Sequence, residues 1–528
     1  MRRRLLLAAP VVLVLASTAF GGAADLKRAL EQARAAAQAN DGDALDRALR
    51  AALAEGGKPP VRALLELAAA FPAQREPLYW QVVGGVASVT DRGGLDALGD
   101  FLLASSDAPL ARDVMLALQG NRSAEVIELH RRLLRPRSGA LQALAVDRLG
   151  ELERPEAVDL LLEVLKREDG SGSALERRVR TTLTALFGED MGDRLNWEGW
   201  WAQHRETAFG RRPEAGSTGT VKDQLDRARG GGLASMSRRG GKVLVLRGSV
   251  RNFDEIEKVL ERLGVRHEVL LKTAFNADPA ALDGVAALIM NCSFFGTVCR
   301  CRTCKPGQDP KSRLPVCTGC DTHELTPDAL DQAAIDRIKA FVDQGGCVFT
   351  EDYGLRELTG KAWSDYVVPG ADLPGGDVDY APVRGQADPS LLRGVLVHAA
   401  DGGSMTARRS SRWKIDDLSP SIVVKDAARV QVLLASEELR ARTDGKGAAV
   451  AVCFSPGAST TTTDDGAARR PRTGGARRRE EPAAPRPGLV LHVLSHFGKQ
   501  QSQSDEFTLQ NLLVNFLLEA QERFAARR

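Results

Sequence analysis

Two pairs of closely spaced cysteines form the strongest chemical pattern in this sequence. Each pair has two intervening residues, and twelve residues separate the pairs: Cys301 and Cys304, then Cys317 and Cys320. A C-x-x-C turn points two thiolates at one ion, and four thiolates close a tetrahedron around zinc. The pattern predicts a structural Zn²⁺ site in a cysteine-rich insertion over 293–324, with Cys299 and His323 as alternate ligands. Disulfides are the competing interpretation, because an exported chain meets an oxidising compartment.

A second group of reactive side chains follows predicted β-strands. Short apolar runs end at Arg247, at Cys292, at Glu351 with Asp352, and at His496. Ligands of open α/β sheets bind beyond the carboxyl ends of the strands. A thiol, an imidazole and a carboxylate at one such edge have the composition of a nucleophilic triad. The candidate catalytic residues are therefore His496, Glu351, Asp352 and Cys292, and His496 is also a candidate metal ligand.

The elements that must position these side chains alternate along residues 241–528. Predicted strands at 242–246, 267–271, 285–290 and 346–350 are interleaved with predicted helices at 254–263 and 328–344. This alternation predicts a parallel, wound sheet. Later predicted elements are strands at 421–424, 430–435, 448–454 and 489–495 and a closing helix at 505–524.

Two segments of this region resemble the class I glutamine-amidotransferase-like fold. They are Gly345-Gly-Cys-Val-Phe-Thr-Glu-Asp-Tyr353 and Leu489-Val-Leu-His-Val-Leu-Ser-His-Phe-Gly498, and the resemblance is to its ThuA-like branch. It spans about 242–352 and 448–520, and it implies a flavodoxin-like wound sheet. Amidotransferases place a catalytic cysteine at the sharp turn after the Gly-Gly strand. Here that turn is Thr350-Glu351-Asp352, so the missing thiol argues against amidotransferase activity. Cys347 lies within the strand as an apolar filler.

The N-terminal part, 25–205, has a different periodicity. Apolar residues recur at three- and four-residue spacing, and similar segments such as 124–134 and 155–165 recur every 30 to 34 residues. Stacked pairs of amphipathic helices of this kind form an α-solenoid. Leu149-Gly-Glu-Leu-Glu-Arg-Pro-Glu-Ala-Val158 resembles the short bacterial HEAT repeat, which implies a binding scaffold for a protein partner.

Two other features of the helical part concern individual side chains. Trp197, Trp200 and Trp201 share one helix face, and we interpret them as a cap on the end of the helical core rather than as an aromatic ligand site. His130 is expected at the surface or in a groove rather than as a ligand.

The first 24 residues have the order of a secretory signal peptide. A cationic start at 1–4 precedes an apolar run at 5–16 and a small-residue stretch that predicts cleavage between Ala19 and Ala24. We therefore expect an exported protein, periplasmic or extracellular. An uncleaved N-terminal membrane anchor is the alternative.

The net charge of +3 comes from two segments outside the predicted cores. Residues 2–4 are three arginines, and 459–488 contains seven arginines and four acidic residues, so the remaining chain has a net charge of −3. A globally basic nucleic-acid-binding protein is therefore not expected. The composition predicts a linker over 206–240 and a disordered loop over 459–488.

Together these patterns favour an exported scaffold or binding protein. Its HEAT-like repeats would bind a protein partner, and its zinc-stabilised α/β domain would bind a ligand or partner without catalysis. The alternative hypothesis is a hydrolase that uses His496 with Glu351 or Asp352, or with Cys292, at the strand ends.

Overall fold

Eleven α-helices form the N-terminal part of the chain that is described. The structure is a computed structural model that describes residues 23–71, 76–135, 140–187, 189–209, 241–249, 254, 256–293, 297–299, 306–308, 315–317, 325–386, 388–395, 411–445, 447–457 and 487–527. The helices are α1 Ala23–Ala39, α2 Gly42–Leu53, α3 Lys58–Ala69, α4 Glu76–Ala87, α5 Arg92–Ala104, α6 Ala108–Ala117, α7 Val126–Leu133, α8 Ala140–Leu152, α9 Pro155–Glu168, α10 Ala174–Phe187 and α11 Arg194–His204.

Aspartates cap the N-termini of several of these helices. Asp41, Asp91, Asp107 and Asp193 each accept hydrogen bonds from backbone N–H groups of the first helical turn. Such N-caps satisfy donors that have no partner inside the helix.

Side chains of successive helix pairs contact each other at a regular separation along the chain. Tyr79 Oη donates to Asp113 Oδ2 at 2.6 Å, 34 residues away, and Asn121 Nδ2 donates to Val89 O at 2.8 Å, 32 residues away. Helices α3, α5 and α7 pack against one another in sequence, as do α2, α4 and α6. The helices are therefore stacked in two rows, at a spacing consistent with the predicted repeat.

Two side-chain expectations for the helical part have different outcomes. Trp197 and Trp201 are buried in the helical core, and Trp201 Nε1 donates to Asp159 at 2.7 Å, as expected for a cap. His130, expected near the surface, is buried instead, and this burial lowers its pKa to about 4. The reason is that His130 lies on the apolar side of α7 with Val126 and Leu133.

The C-terminal part is built around a mixed sheet of eleven strands. Its strands are β1 Lys242–Arg247, β2 His267–Leu271, β3 Val285–Met290, β8 Cys347–Glu351, β9 Val367–Asp372, β10 Gly376–Pro382, β11 Ser411–Ile415, β12 Pro420–Val424, β13 Val430–Ala435, β14 Ala449–Phe454 and β15 Leu489–Val493. Its helices are α12 Ile256–Arg262, α13 Lys272–Ala277, α14 Gln332–Asp343, α15 Gly360–Ala362, α16 Glu437–Arg442 and α17 Gln503–Arg527, and a π-helical turn spans Leu355–Thr359.

The prediction of a parallel wound sheet holds for only part of this sheet. Strands β2, β1, β3, β8 and β15 are parallel neighbours in that order. From β15 the sheet continues antiparallel through β14, β13, β10 and β11, and β12 and β9 pair as a side branch. The sheet is therefore mixed, because every strand after β8 pairs antiparallel with its neighbours, except where β15 lies parallel to β8.

Four short strands lie within or directly beside the cysteine-rich insertion. They are β4 Thr297–Cys299, β5 Pro306–Gln308, β6 Pro315–Cys317 and β7 Leu325–Pro327. Strand β4 pairs with β7, and β5 pairs with β6 with Pro306 opposite Cys317. The backbone therefore enters and leaves the insertion at one place, beside the end of β3.

The two parts of the chain contact each other through the segment that follows β10. Trp80 Nε1 donates to Pro382 O at 2.8 Å, and Arg384 donates to Ala69 O at 2.9 Å and Phe71 O at 2.5 Å. Leu116 of α6 packs within the hydrophobic core of the α/β part. The helical stack is therefore docked on the sheet domain by polar and apolar contacts.

Candidate functional site at the strand ends

Three neighbouring parallel strands end at the same edge of the sheet. Strand β8 lies between β3 and β15, with Met290 opposite Thr350 and Val493 opposite Glu351. The residues at and just after these positions therefore lie close together at this edge of the sheet. They are Cys292, Glu351, Asp352 and His496, which are the four candidates predicted from the sequence.

The side chains of three of these residues converge. Cys292 Sγ donates to Asp352 Oδ2 at 3.6 Å, and His496 Nε2 lies 3.0 Å from the same oxygen. All three are buried: Cys292 is 0%, Asp352 2% and His496 2% exposed. One ligand atom from each lies within 4.8 Å of the others, so this cluster could hold a metal ion.

Asp352 occupies an unusual backbone conformation at the turn after β8. Its φ is +37°, in the region that residues with a Cβ rarely adopt, and its N–H donates to Val493 O at 2.9 Å. Here a carboxylate stands at the turn, and the thiol of Cys292 reaches it from the adjacent strand β3. Strained residues of this kind cluster at functional sites.

His496 is oriented by groups on its other side. Its Nδ1 lies 3.0 Å from Asp416 Oδ2 and 3.0 Å from Lys499 Nζ, and Lys499 donates to Asp416 at 2.7 Å. When Nδ1–H donates to Asp416, Nε2 has its lone pair directed toward Cys292 and Asp352. A metal-bound histidine usually donates its other ring N–H to a group such as a carboxylate, as Nδ1 would here.

Several buried polar atoms at this site have no hydrogen-bond partner among the residues that the structure describes. They are both carboxylate oxygens of Glu351, Oδ1 of Asp352, Oδ1 of Asp254 and Nε2 of His496. His496 Nε2 is close to Asp352 but off the line of a hydrogen bond. Buried polar atoms are normally paired, because leaving them unpaired costs free energy. Glu351 and Asp254 can share a proton, whereas Asp352 Oδ1 and His496 Nε2 lie in the cluster that could hold a metal ion.

Burial and neighbouring charges shift the proton affinities of the site. Burial raises the pKa of the Cys292 thiol, and burial with the nearby Asp254 carboxylate raises the pKa of Glu351. Burial alone would lower the pKa of His496, but Cys292, Asp352 and Asp416 raise it well above 6.5. Hydrogen bonding to His496 and Lys499 holds the pKa of Asp416 well below its usual range. The site therefore contains three buried carboxyl groups, those of Asp254, Glu351 and Asp352.

The remaining predicted residues do not join this cluster. Arg247 donates to Glu257 at 3.2 Å instead, and Asn291 donates to the other oxygen of Glu257. Cys347 is buried within β8, as expected of an apolar filler. The predicted zinc ligands Cys301, Cys304 and Cys320 and the alternate His323 lie outside the described residues. Cys317 and Cys299 lie in β6 and β4, and the zinc site itself stays a prediction.

Three residues of the site were not found from the sequence. Asp254 precedes α12 and accepts a hydrogen bond from Phe497 N at 2.7 Å, across 243 residues of chain. Asp416 follows β11, and Lys499 follows the turn after His496. Of the three, only Asp416 could have been found from the sequence. It follows Arg412-Trp413-Lys414-Ile415, in which polar and apolar residues alternate as in a half-buried strand. Trp413 and Ile415 are indeed buried.

No protein-family model, curated protein or solved structure was found to match this chain. Within the part of the chain that the structure describes, no helix has the length and apolar character needed to cross a membrane. Residues 1–22 of the predicted signal peptide, 210–240 of the predicted linker and 459–486 of the predicted loop lie outside the described residues.

Proposed function

We propose that the α/β part of this chain is a zinc-dependent ligand-binding domain whose ion is held by Cys292, Asp352 and His496. The convergence of a thiol, a carboxylate and an imidazole with buried unpartnered atoms carries this proposal. The excess of buried carboxylates favours a cation at this position, and mixed sulfur, nitrogen and oxygen ligands suit zinc.

Three protein ligands leave one position of a tetrahedral zinc free, in contrast to the closed four-cysteine site predicted for the insertion. An ion of this kind polarises a carbonyl or a water molecule that occupies the free position. The bound ligand is therefore expected to supply an oxygen or another donor atom. Asp416 would hold the His496 ring in the orientation that such an ion needs.

Metal content of matched cysteine variants tests this proposal. We expect Cys292→Ala to lose one zinc per chain relative to the wild type, because one of the three side chains that bind the ion is removed. Cys347→Ala is the control, because Cys347 is equally buried in the adjacent strand but is not in the cluster. Zinc in the insertion is unaffected by either change. Equal zinc content in Cys292→Ala and the wild type would reject the site.

A hydrolase is the second candidate, favoured by the contact of His496 with Asp416 on one side and with the Cys292–Asp352 pair on the other. In that function Cys292 would be the nucleophile and His496 the base, or His496 would act with Asp352 or Glu351 on a water molecule. The Asp352 carboxylate 3.6 Å from Sγ opposes a thiolate, and this disfavours Cys292 as a nucleophile. Rapid alkylation of Cys292 at pH 7 in metal-free protein, measured by peptide mass spectrometry, would favour the hydrolase.

For the whole chain we propose an exported protein in which a HEAT-like solenoid binds a protein partner. The two-row packing of α2 to α7 and the contacts near 32 to 34 residues support a solenoid. One face of the helices is occupied by the segment after β10, so a partner must use the remaining surface. A partner protein that the full chain captures should no longer be captured when exposed helical residues such as Leu103 are changed to charged residues. This comparison tests the binding.

A further inference from the structure

The turn that carries Asp352 continues into a short segment with an uncommon backbone. Residues Leu355–Thr359 form one turn of π-helix, directly followed by α15. Single π-turns are rare, and many occur at functional sites. The positive φ of Asp352 and the π-turn are therefore two departures from regular structure within eight residues of one chain segment.

Buried hydrogen bonds join one side of this segment to the neighbouring strands. Thr359 Oγ1 and Thr350 Oγ1 share a hydrogen bond at 2.7 Å, and Thr350 Oγ1 also bonds to His492 Nδ1 at 2.8 Å. These three side chains are fully buried. They join the end of the π-turn to β8 and β15, which are the strands that carry Asp352 and His496.

The other side of the segment is held by an ion pair. Glu357 Oε2 accepts a hydrogen bond from Lys272 Nζ at 2.6 Å, and Glu357 Oε1 accepts one from Leu330 N at 3.0 Å. Packing is equally close, since a Cβ on Gly360 would lie 2.7 Å from Leu355 O and one on Gly354 would lie 3.0 Å from the Thr350 Cβ. The segment therefore has little freedom to relax away from the strand ends.

We infer that Thr359, through Thr350 and His492, is a positioning residue for the metal site, because its hydrogen bond holds the turn that presents Asp352 to the ion. This inference rests on the proposed zinc site. None of these three side chains touches the ion, so the effect is indirect. Groups that hydrogen-bond directly to metal ligands change metal affinity by about 10- to 100-fold, and a group that acts one residue farther away is expected to have a smaller effect.

Cobalt titration of the metal-free full chain tests the inference. The site's signal is the thiolate-to-cobalt absorption that the wild type shows and Cys292→Ala lacks, which separates it from any cobalt held by the insertion. We expect Thr359→Val, which keeps the side-chain shape but removes the hydroxyl, to weaken cobalt binding at this site measurably, by up to about 10-fold, because Thr359 contacts none of the three ligands directly. Thr359→Ser, which restores the hydroxyl, is expected to bind as the wild type does.

The matched control is Thr508→Val. Thr508 is also buried, and its hydroxyl accepts hydrogen bonds from Tyr380 and Trp413 at 3.0 Å, away from the turn. Unchanged binding in Thr359→Val, or an equal loss in Thr508→Val, would overturn the positioning role. If the wild type and Cys292→Ala give the same titration, the zinc site itself fails and the positioning role falls with it.

Discussion

At the scale of single residues, Asp352 combines a ligand atom with a strained backbone. Its positive φ is unfavourable for any residue with a Cβ, and its carboxylate is buried among other acids. Such a residue costs stability, and the proposed metal site gives its carboxylate a role that offsets this cost. Asp352 and its neighbour Glu351 could be selected from the sequence, because they follow a predicted strand. Their convergence with Cys292 and His496 could be expected only from the parallel order of three strands.

Replacing Asp352 separates the strain from the ligand function. Both Asp352→Gly and Asp352→Ala remove the carboxylate, so both are expected to lose the zinc of this site. Only glycine adopts the positive φ without steric cost, so Asp352→Gly is expected to be more stable than Asp352→Ala by about 1–2 kcal/mol. Denaturant unfolding of the metal-free proteins measures the difference. Equal stabilities would show that the turn carries no strain.

At the scale of elements, the sequence predicts the parallel strands well and the antiparallel ones unevenly. The predicted strands 267–271 and 285–290 have the observed bounds, and the second is a continuous apolar run with clear ends. Strands β9, β10 and β11 were missed. Glycine, proline and aspartate in β9 and β10 lower their strand propensity, although Val378 and Tyr380 alternate toward the core. Because β11 was not predicted, Asp416, the residue that orients His496, was not identified from the sequence either.

The buried ion pair of Lys272 and Glu357 gives a prediction at this scale. Both side chains are 0% exposed, so Lys272→Met leaves a buried carboxylate without its cation. Removing one partner of such a pair costs about 3–5 kcal/mol. The double variant Lys272→Met with Glu357→Gln is expected to recover part of that loss, because the glutamine is neutral and still accepts from Leu330 N. Unfolding midpoints at pH 8 measure both. A double variant less stable than Lys272→Met would contradict this account.

At the scale of the whole molecule, the helical stack and the sheet domain are joined by charged groups as well as by apolar packing. Arg178 of α10 bonds to Asp147 at 2.6 Å and also to Glu522 of α17, and Arg393 contacts Glu151. The sequence indicated two domains but not this contact. Its partners, such as Arg178 and Glu522, lie hundreds of residues apart, and no local pattern marks them.

Asp113 makes the contact between the helical stack and the sheet domain sensitive to pH. It is fully buried, and its Oδ2 accepts hydrogen bonds from Tyr79 and from Gly385 N on the sheet domain. Burial raises the pKa of Asp113 from 3.8 to about 6. Between these two values the folded chain binds more protons than the unfolded chain. The free energy of unfolding therefore falls as pH rises through this window, by at most about 3 kcal/mol from this group.

Two variants shift this pH dependence in opposite directions. Asp113→Asn has no proton to lose and still accepts from Tyr79 and Gly385, so its free energy of unfolding is expected to fall less between pH 4 and pH 7. Tyr79→Phe removes a hydrogen bond that favours the carboxylate, so the pKa of Asp113 rises further and the fall becomes larger. Denaturant unfolding across this range measures both slopes. The same slope in both variants would exclude Asp113 as the group through which pH acts on the docked helical stack.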